Sequence, residues 1–190
     1  MLDLRNIDPN KKNAALIRHT ERYTIKDGES GDDINITPDG KKMAIEYGKS
    51  TQNKILNKIF TSPIKRCIQT AEQIINGYNK QVEIISTKML GDPSAFVKDQ
   101  KLAYSHFTKT SFFDGYYKLI RGGERPGFYS LEEGAQRMDN FIKENTTTKG
   151  LTLFISHDIV ILYYIYTKTK KVYSAENWLD FLDGILVTFD

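Results

Sequence analysis

The chain has 190 residues, of which 39% are apolar, enough for one sizeable core in a single domain over 1–190. Lys and Arg total 27 against 24 for Asp and Glu, and a net charge of +3 is too small and too dispersed for a nucleic-acid-binding protein. The N-terminus, 1–13, lacks the apolar core of a secretory signal, and the longest apolar stretch, 151–166, is too short to span a bilayer. A single cysteine, Cys67, allows no internal disulfide, which agrees with a reducing compartment. We therefore expect a soluble, cytoplasmic protein with neither a nucleic-acid nor a membrane partner.

Strands and helices are predicted to alternate along the first half of the chain. An apolar run over 13–17 predicts a buried strand, and a helix is expected over 38–48 because Thr37 and Pro38 are a typical N-cap and first residue. A second strand is predicted over 55–61, a helix from Pro63 to Gly77, and a third strand over 82–86. The apolar residues with helical spacing i, i+4, i+7 and i+11 in the second helix are Ile64, Ile68, Ala71 and Ile75.

The second half of the chain begins with an aromatic-rich segment, 91–129, which holds nine of the 21 Phe and Tyr residues. We interpret this segment, called the insertion below, as a small helical cap or substrate-side element, or as a satellite core. A capping box of Ser130 and Glu133 then starts a helix. Strands are predicted over 151–155 and 185–189, with a helix over 158–166 between them. This order predicts an α/β fold, a three-layer α/β/α sandwich with a mainly parallel central sheet.

The residues that follow the predicted strands carry histidines, arginines and carboxylates. Ligands of open α/β sheets bind beyond the carboxyl ends of the strands, so these residues are expected to share one site. The set comprises Arg18 and His19 after the first strand, Arg66 one turn into the following helix after the second, Asp92 after the third, and His157 and Asp158 after the fourth. A lone histidine at a strand end is more often structural, but two of the chain's three histidines occupy such places beside arginines that can hold a dianion.

Two other chemistries fit this set less well. Two histidines with Asp92 or Asp158 could ligate a metal, but arginines beside them would repel a divalent cation, so we expect neither a metal nor a cofactor. A cysteine phosphatase needs an arginine six positions after its cysteine, where Cys67 is followed by Gln73. The sequence therefore favours an anion-binding pocket.

Three segments correspond, in order and spacing, to the motifs of one protein family. They are Leu16-Ile17-Arg18-His19-Thr20, Ser62-Pro63-Ile64-Lys65-Arg66-Cys67-Ile68-Gln69-Thr70-Ala71 and Phe154-Ile155-Ser156-His157-Asp158. They resemble the three motifs of the histidine phosphatase superfamily, also called phosphoglycerate mutase-like proteins. The resemblance extends from about residue 13 to the C-terminus and leaves the insertion unmatched.

The resemblance implies a role for each matching residue. His19 would be the nucleophile that becomes phosphorylated, while Arg18, Arg66 and His157 would bind the phosphoryl oxygens. Arg22 is similar to an additional phosphate-binding arginine of the acid-phosphatase branch. Fixed cationic donors suit the charge that spreads over the equatorial oxygens during phosphoryl transfer.

Two carboxylates compete for the role of general acid. Asp158 directly follows the second histidine, as the acid does in the acid-phosphatase branch, and Asp92 lies in the loop where the mutase-containing branch has a carboxylate. We favour Asp158, because Arg22 also resembles the acid-phosphatase branch. Thr20 departs from the family, which usually has glycine there.

The sequence thus predicts a metal-independent phosphatase that hydrolyses phosphate monoesters through a phosphohistidine. Its substrate would be a phosphorylated small molecule or a phosphoprotein. Two alternatives remain open, a phosphotransferase of the phosphoglycerate mutase type and a catalytically silent phosphate-binding protein.

Overall fold

The computed structural model describes residues 1–26, 31–107 and 112–190. Within these ranges the strands are β1 (Lys12–Arg18), β2 (Leu56–Thr61), β3 (Glu83–Ser86), β4 (Gly150–Ser156) and β5 (Gly184–Phe189). They form one sheet in the order β3-β2-β4-β1-β5, in which β5 alone is antiparallel. Each bound lies within one residue of the prediction. The predicted mainly parallel α/β fold is therefore confirmed.

Helices connect the strands and cover the sheet. In the described residues they are α1 (Pro38–Ser50), α2 (Lys65–Tyr78), α3 (Gln100–Phe107), α4 (Phe112–Ile120), α5 (Leu131–Asn145) and α6 (Asp158–Thr169), with short 3-10 turns at Lys88–Leu90 and Ala175–Asn177. The capping predictions hold, since the Thr37 hydroxyl accepts a hydrogen bond from Gly40 and the Ser130 hydroxyl accepts one from Glu133. Among the described residues, no helix has the length and apolar character needed to cross a membrane.

The central strands β1 and β4 are buried on both faces. Successive residues of a strand point to opposite sides, so each strand contributes to two apolar clusters. Leu16 and Phe154 belong to one apolar cluster, which α5 and α6 complete. Ile17 and Ile155 belong to a second cluster, which α1 and α2 complete. Parallel strands buried on both faces have near-continuous apolar sequences, as 151–155 does, and leave only the strand ends open to ligands.

The insertion contains α3 and α4, and its residues 108–111 lie outside the described part of the chain. Several of its apolar side chains join the cluster on the α6 face of the sheet. Tyr116 and Phe96 are fully buried there. The Tyr116 ring stacks 5.9 Å from the ring of Tyr163 on α6. Aromatic residues of the insertion thus contribute to the main core, and a role in covering a substrate stays a prediction.

Helices α1 and α2 pack backbone against backbone at two glycines. A Cβ atom on Gly77 would lie 1.9 Å from the carbonyl oxygen of Ile45, and one on Gly48 would lie 2.1 Å from that of Ile74. Neither backbone oxygen can move without separating the helices. The close approach keeps α2, which carries Arg66, tight against the sheet.

The Gly77→Ala substitution should lower the free energy of unfolding by about 1–3 kcal/mol, as expected for overpacking. Helix propensity alone predicts the opposite sign, because alanine is favoured over glycine in a helix by about 1 kcal/mol. Urea denaturation measures the change, with Asn76→Ala on the exposed side of α2 as the control, expected within about 0.5 kcal/mol of wild type. An unchanged or raised stability of Gly77→Ala would contradict the packing described here.

Candidate active site

The predicted site residues converge at the carboxyl edge of the parallel strands. His19 directly follows β1, and its backbone N–H donates to the carbonyl of Ser156 at the end of β4, at 3.0 Å. The N–H of Ser62, after β2, donates to the carbonyl of Ile155 at 3.0 Å. These bonds continue the ladder past the strands and fix the loops that carry the side chains.

Arg66 lies between the two histidines. Its Nε donates to Nε2 of His19 at 3.1 Å, and its Nη2 lies 3.0 Å from Nδ1 of His157. Its Nη1 donates to the Gly31 carbonyl at 2.7 Å. The two imidazole centroids are 5.5 Å apart. One guanidinium therefore links three separate segments of the chain.

The hydrogen bonds define the tautomer of each histidine. An arginine N–H can only donate and a carbonyl can only accept. His19 therefore donates from Nδ1 to the Thr20 carbonyl at 2.7 Å and presents the lone pair of Nε2 to Arg66. His157 accepts from Arg66 at Nδ1 and donates from Nε2 to the Ser62 hydroxyl at 2.9 Å.

Burial and neighbouring cations keep both rings neutral. His19 is only 3% exposed, and burial lowers its pKa well below the usual value, followed by repulsion from His157 in its protonated form and from Arg66. Burial, followed by the charges of Arg66, Arg18 and Arg22, lowers the pKa of His157 to about 3. At neutral pH, Nε2 of His19 is thus unprotonated and keeps the lone pair that a nitrogen nucleophile requires.

Arg18 is held on three sides. Its Nη1 donates to the carbonyl of Leu179, its Nη2 pairs with the Asp158 carboxylate at 2.8 Å, and its guanidinium lies 4.3 Å from the ring centre of Phe181. Its Nε is buried without a hydrogen-bond partner. Burial lowers the pKa of this arginine, and Asp158 opposes that effect. A buried N–H without a partner is a place where an oxyanion can be bound.

Of the three predicted phosphate-binding arginines, Arg22 has the fewest contacts with the other site residues. Its Nη1 donates to the carbonyl of Tyr23 at 2.8 Å. Its charge nevertheless contributes to the lowered pKa of both His157 and Arg18. Its predicted contact with phosphate stays a prediction.

The two candidate acids have different surroundings. Asp158 pairs with Arg18, accepts from the Trp178 indole at 3.1 Å, and accepts from the N–H of Ile159 at 2.8 Å. Asp92 is exposed and accepts from the side chain of Gln100. Of the two carboxylates, Asp158 is the one enclosed by donors.

The loop that carries Asp92 packs directly on the site. A Cβ atom on Gly91 would lie 2.5 Å from Cδ2 of His157 and 2.7 Å from the Ser62 hydroxyl, and Gly91 has φ of +156°. A side chain has no room there, so this position requires glycine. Asp92 is thus one residue away from a backbone contact with His157.

A cleft of about 530 Å³ opens beside this pocket along the first turns of α2. Its lining is mainly polar and includes four carboxylates and a single lysine. The lining residues are Asp32, Asp33, Pro63, Ile64, Lys65, Ile68, Gln69, Glu72 and Asp92. Because Pro63 follows Ser62 and Asp92 follows Gly91, the cleft adjoins the histidines.

Cys67 is enclosed behind the site on α2. It is fully buried, and burial raises the pKa of its thiol to about 12. The thiolate is the nucleophilic form of cysteine, so a thiol with so high a pKa is inert. This agrees with the sequence argument against a cysteine phosphatase.

Sequence reasoning missed several residues that shape the site. Ser62, the first residue of the second motif, had no predicted role, and it is the hydrogen-bond partner of His157. Trp178, Leu179 and Phe181 lie in an irregular segment before β5, and the Phe181 ring is 6.0 Å from that of His19. No periodicity marks that segment, although the chain's single tryptophan was a signal that could have drawn attention.

Comparisons with known proteins agree with this geometry. A family model described as the histidine phosphatase superfamily (branch 1) matches residues 14–178. No curated protein matches the sequence.

Several solved structures share the fold at low identity. Phosphoglycerate mutase from Bacillus anthracis is 12% identical, with a TM-score of 0.64 over 95% of this chain and 88% of that one. A mycobacterial glucosyl-3-phosphoglycerate phosphatase is 13% identical, with a TM-score of 0.61 over 94% of this chain and 90% of that one. The protein histidine phosphatase SixA in complex with tungstate is 13% identical, with a TM-score of 0.52 over 93% of this chain and 86% of that one.

The neutral state of His157 should appear in the pH dependence of stability. Its pKa is about 3 in the folded chain and about 6.5 when unfolded, so between these values the unfolded chain binds more protons. The free energy of unfolding should therefore fall as pH falls from about 6.5, with a contribution from His157 of about 1.4 kcal/mol per pH unit.

Urea denaturation of wild type and His157→Gln between pH 4 and 8 measures this slope. The variant should lose stability less steeply below pH 6, and the two curves should run parallel above pH 7, where the histidine is neutral in both states. Equal slopes below pH 6 would contradict a neutral His157 in the folded chain.

Proposed function

This chain belongs to branch 1 of the histidine phosphatase superfamily, and we propose that it hydrolyses phosphate monoesters through a phosphohistidine formed at Nε2 of His19. The observation that carries the proposal is the neutral His19, whose unprotonated Nε2 accepts a hydrogen bond from Nε of Arg66 at 3.1 Å. A nucleophilic nitrogen and fixed cationic donors together are what phosphoryl transfer requires.

In the first step, Nε2 of His19 attacks phosphorus while the ester P–O bond breaks. The N–H groups of Arg66 turn from the two histidine nitrogens to the phosphoryl oxygens, which frees the lone pair. Nδ1 keeps its proton and donates it in a hydrogen bond to the Thr20 carbonyl, which stabilises the positively charged ring that forms. In the second step, water attacks phosphorus and gives a proton to the carboxylate that served as general acid in the first step. The P–N bond breaks, and inorganic phosphate leaves with His19 and the acid restored.

Arg18 and His157 complete the anion site in this proposal. The buried Nε of Arg18 gains a partner when a phosphoryl oxygen reaches it. A bound dianion raises the pKa of His157, because an opposite charge favours the imidazolium, and the ring can then donate to phosphate. Binding of the anion would therefore be accompanied by the uptake of a proton at His157.

The leaving alkoxide needs a proton, and the contacts favour Asp92 as its source. Asp92 lines the cleft beside the histidines, where the alcohol portion of a substrate would lie. Asp158 is enclosed by Arg18, Trp178 and the backbone of α6, and all three groups donate to it. We therefore propose Asp92 as the acid, in place of the preference drawn from the resemblance.

The cleft also argues for a hydrolase over a mutase. A phosphoglycerate mutase must hold an acid whose own carboxylate stays bound beside the phosphoryl group. Four carboxylates and one lysine line the cleft, so they would repel such a substrate. A neutral or cationic alcohol portion suits this lining better.

Thr20 does not favour the silent alternative. Its hydroxyl donates to the Gly40 carbonyl at 2.8 Å, and its N–H donates to the Thr70 hydroxyl at 3.2 Å. The carbonyl of Thr20 still accepts from His19. The residue that replaces the usual glycine therefore keeps the bond on which the nucleophile depends.

The His19→Ala variant should lose turnover of a nitrophenyl phosphate by at least about a thousandfold, together with any acid-labile, base-stable phosphoenzyme. The assay is run in EDTA, because the arginines supply the charge that a metal would bring. Cys67→Ala, which removes the buried thiol near the site, should still form the phosphoenzyme. A phosphoenzyme in His19→Ala, or activity that requires a divalent metal, would contradict the mechanism.

Replacing Asp92 by Asn should slow an alkyl phosphate by about 10²-fold or more and largely spare a nitrophenyl ester, which leaves without a proton. Asp33→Asn removes the same charge from the same cleft and is the matched control, expected to affect both esters alike. Should Asp158→Asn alone produce the selective loss, Asp158 is the acid and our assignment fails.

A further inference from the structure

We propose that Trp178 and Asp158 are positioning residues that hold Arg18 ready for the phosphoryl group, so that helix α4 of the insertion controls how tightly the site binds an oxyanion. This inference rests on the proposed function in one respect, that an oxyanion is the ligand of Arg18. It assigns roles to Trp178 and to the insertion, neither of which belongs to a motif of the resemblance.

A chain of contacts from Arg18 through Asp158 to Trp178, called the relay below, begins at the guanidinium of Arg18. Its guanidinium is fixed at one edge by Asp158, at the other by the Leu179 carbonyl, and on one face by Phe181. The side chains of Arg18 and Asp158 are only 13% and 19% exposed. An ion pair so far removed from water is sensitive to the loss of either partner. The direction in which Arg18 presents its free Nε is therefore set by where Asp158 lies.

Asp158 is in turn fixed by two further donors. The N–H of Ile159 donates to Oδ1 at 2.8 Å, and the indole Nε1 of Trp178 donates to Oδ2 at 3.1 Å. Oδ2 is the same atom that pairs with Arg18. The tryptophan thus holds the oxygen that holds the arginine, and its loss leaves that oxygen fixed by Arg18 alone.

The indole of Trp178 is oriented by the insertion. The Tyr116 ring meets it edge to face at 5.4 Å and 82°, and the Phe113 ring does so at 5.0 Å and 78°. Both residues lie on α4. Tyr116 is fully buried, so a movement of α4 would carry the indole with it. A series of contacts thus connects α4 with Arg18 through Trp178 and Asp158.

This arrangement gives Asp158 a role other than acid catalysis. Arg18, Trp178 and the Ile159 amide all donate to it, and a protonated Oδ2 could not accept from both side chains in the same way. A positioning residue affects oxyanion affinity and acts on all esters alike. An acid affects only those esters whose leaving group needs a proton.

The decisive variant is Trp178→Phe, which keeps an aromatic ring between Tyr116 and Phe113 and removes the N–H. Titration calorimetry with tungstate, a tetrahedral dianion, measures the affinity of the site without turnover. We expect affinity to fall by at least about fivefold, since a hydrogen bond to a charged group is lost. The values of kcat/KM for an alkyl and a nitrophenyl ester should fall by the same factor.

Tyr117→Phe is the matched control. It removes the hydrogen bond that the Tyr117 hydroxyl on α4 donates to the Tyr173 carbonyl at 3.1 Å, and it should leave tungstate affinity unchanged. The Asp158→Asn variant should also weaken tungstate binding, and the double variant should lose less than the product of the two single losses, because both act through Arg18. Circular dichroism and urea denaturation confirm that each variant is folded.

Tungstate affinity equal to wild type in folded Trp178→Phe, or strictly multiplicative losses in the double variant, would overturn the proposal. Wild-type protein that binds tungstate but hydrolyses no ester would refute the proposed function and leave the relay to be decided by the binding data. Wild-type protein that binds no oxyanion at all would overturn both.

Discussion

The structure of the site depends on one cation placed between two neutral imidazoles. Arg66 can only donate, so it is compatible with His19 and His157 only when each turns a lone pair toward it. The remaining ring nitrogens must then carry protons, and each finds an acceptor, the Thr20 carbonyl for one and the Ser62 hydroxyl for the other. A nucleophile with a defined tautomer is thus obtained before any substrate arrives.

Charge balance explains why such a site should bind an anion. Arg18 and Arg66 are largely buried, their pKa values are lowered by burial, and Asp158 is the carboxylate paired directly with Arg18. Cations withdrawn from water and only partly compensated are unfavourable until an anion joins them. Burial first, and the same excess of positive charge second, keep the histidines neutral. Affinity for phosphate and reactivity of His19 thus both depend on cations withdrawn from water.

The sequence was most informative where the local pattern and the fold agree. The buried strands were predictable because parallel strands covered on both faces are nearly continuously apolar, as 151–155 is apart from Thr152. The rule that ligands lie at the carboxyl ends of strands then brought His19, Arg66 and His157 together. What could not be predicted depends on tertiary contacts without a sequence period: the approach of Phe181 to His19, the bond from Trp178 to Asp158, and the backbone of Gly91 against His157. The contacts that surround Asp158 could not be predicted either, because Arg18 and Trp178 are distant from it in the sequence.

Nitrogen-15 NMR of histidine-labelled protein at pH 7 tests the central claim most directly, because two-bond proton couplings distinguish the two neutral tautomers and the imidazolium. The account predicts that His19 is neutral with its proton on Nδ1, that His157 is neutral with its proton on Nε2, and that tungstate shifts both spectra. Assignment rests on the His19→Ala and His157→Gln variants. An imidazolium at either position in the empty site, or a proton on Nε2 of His19, would contradict it.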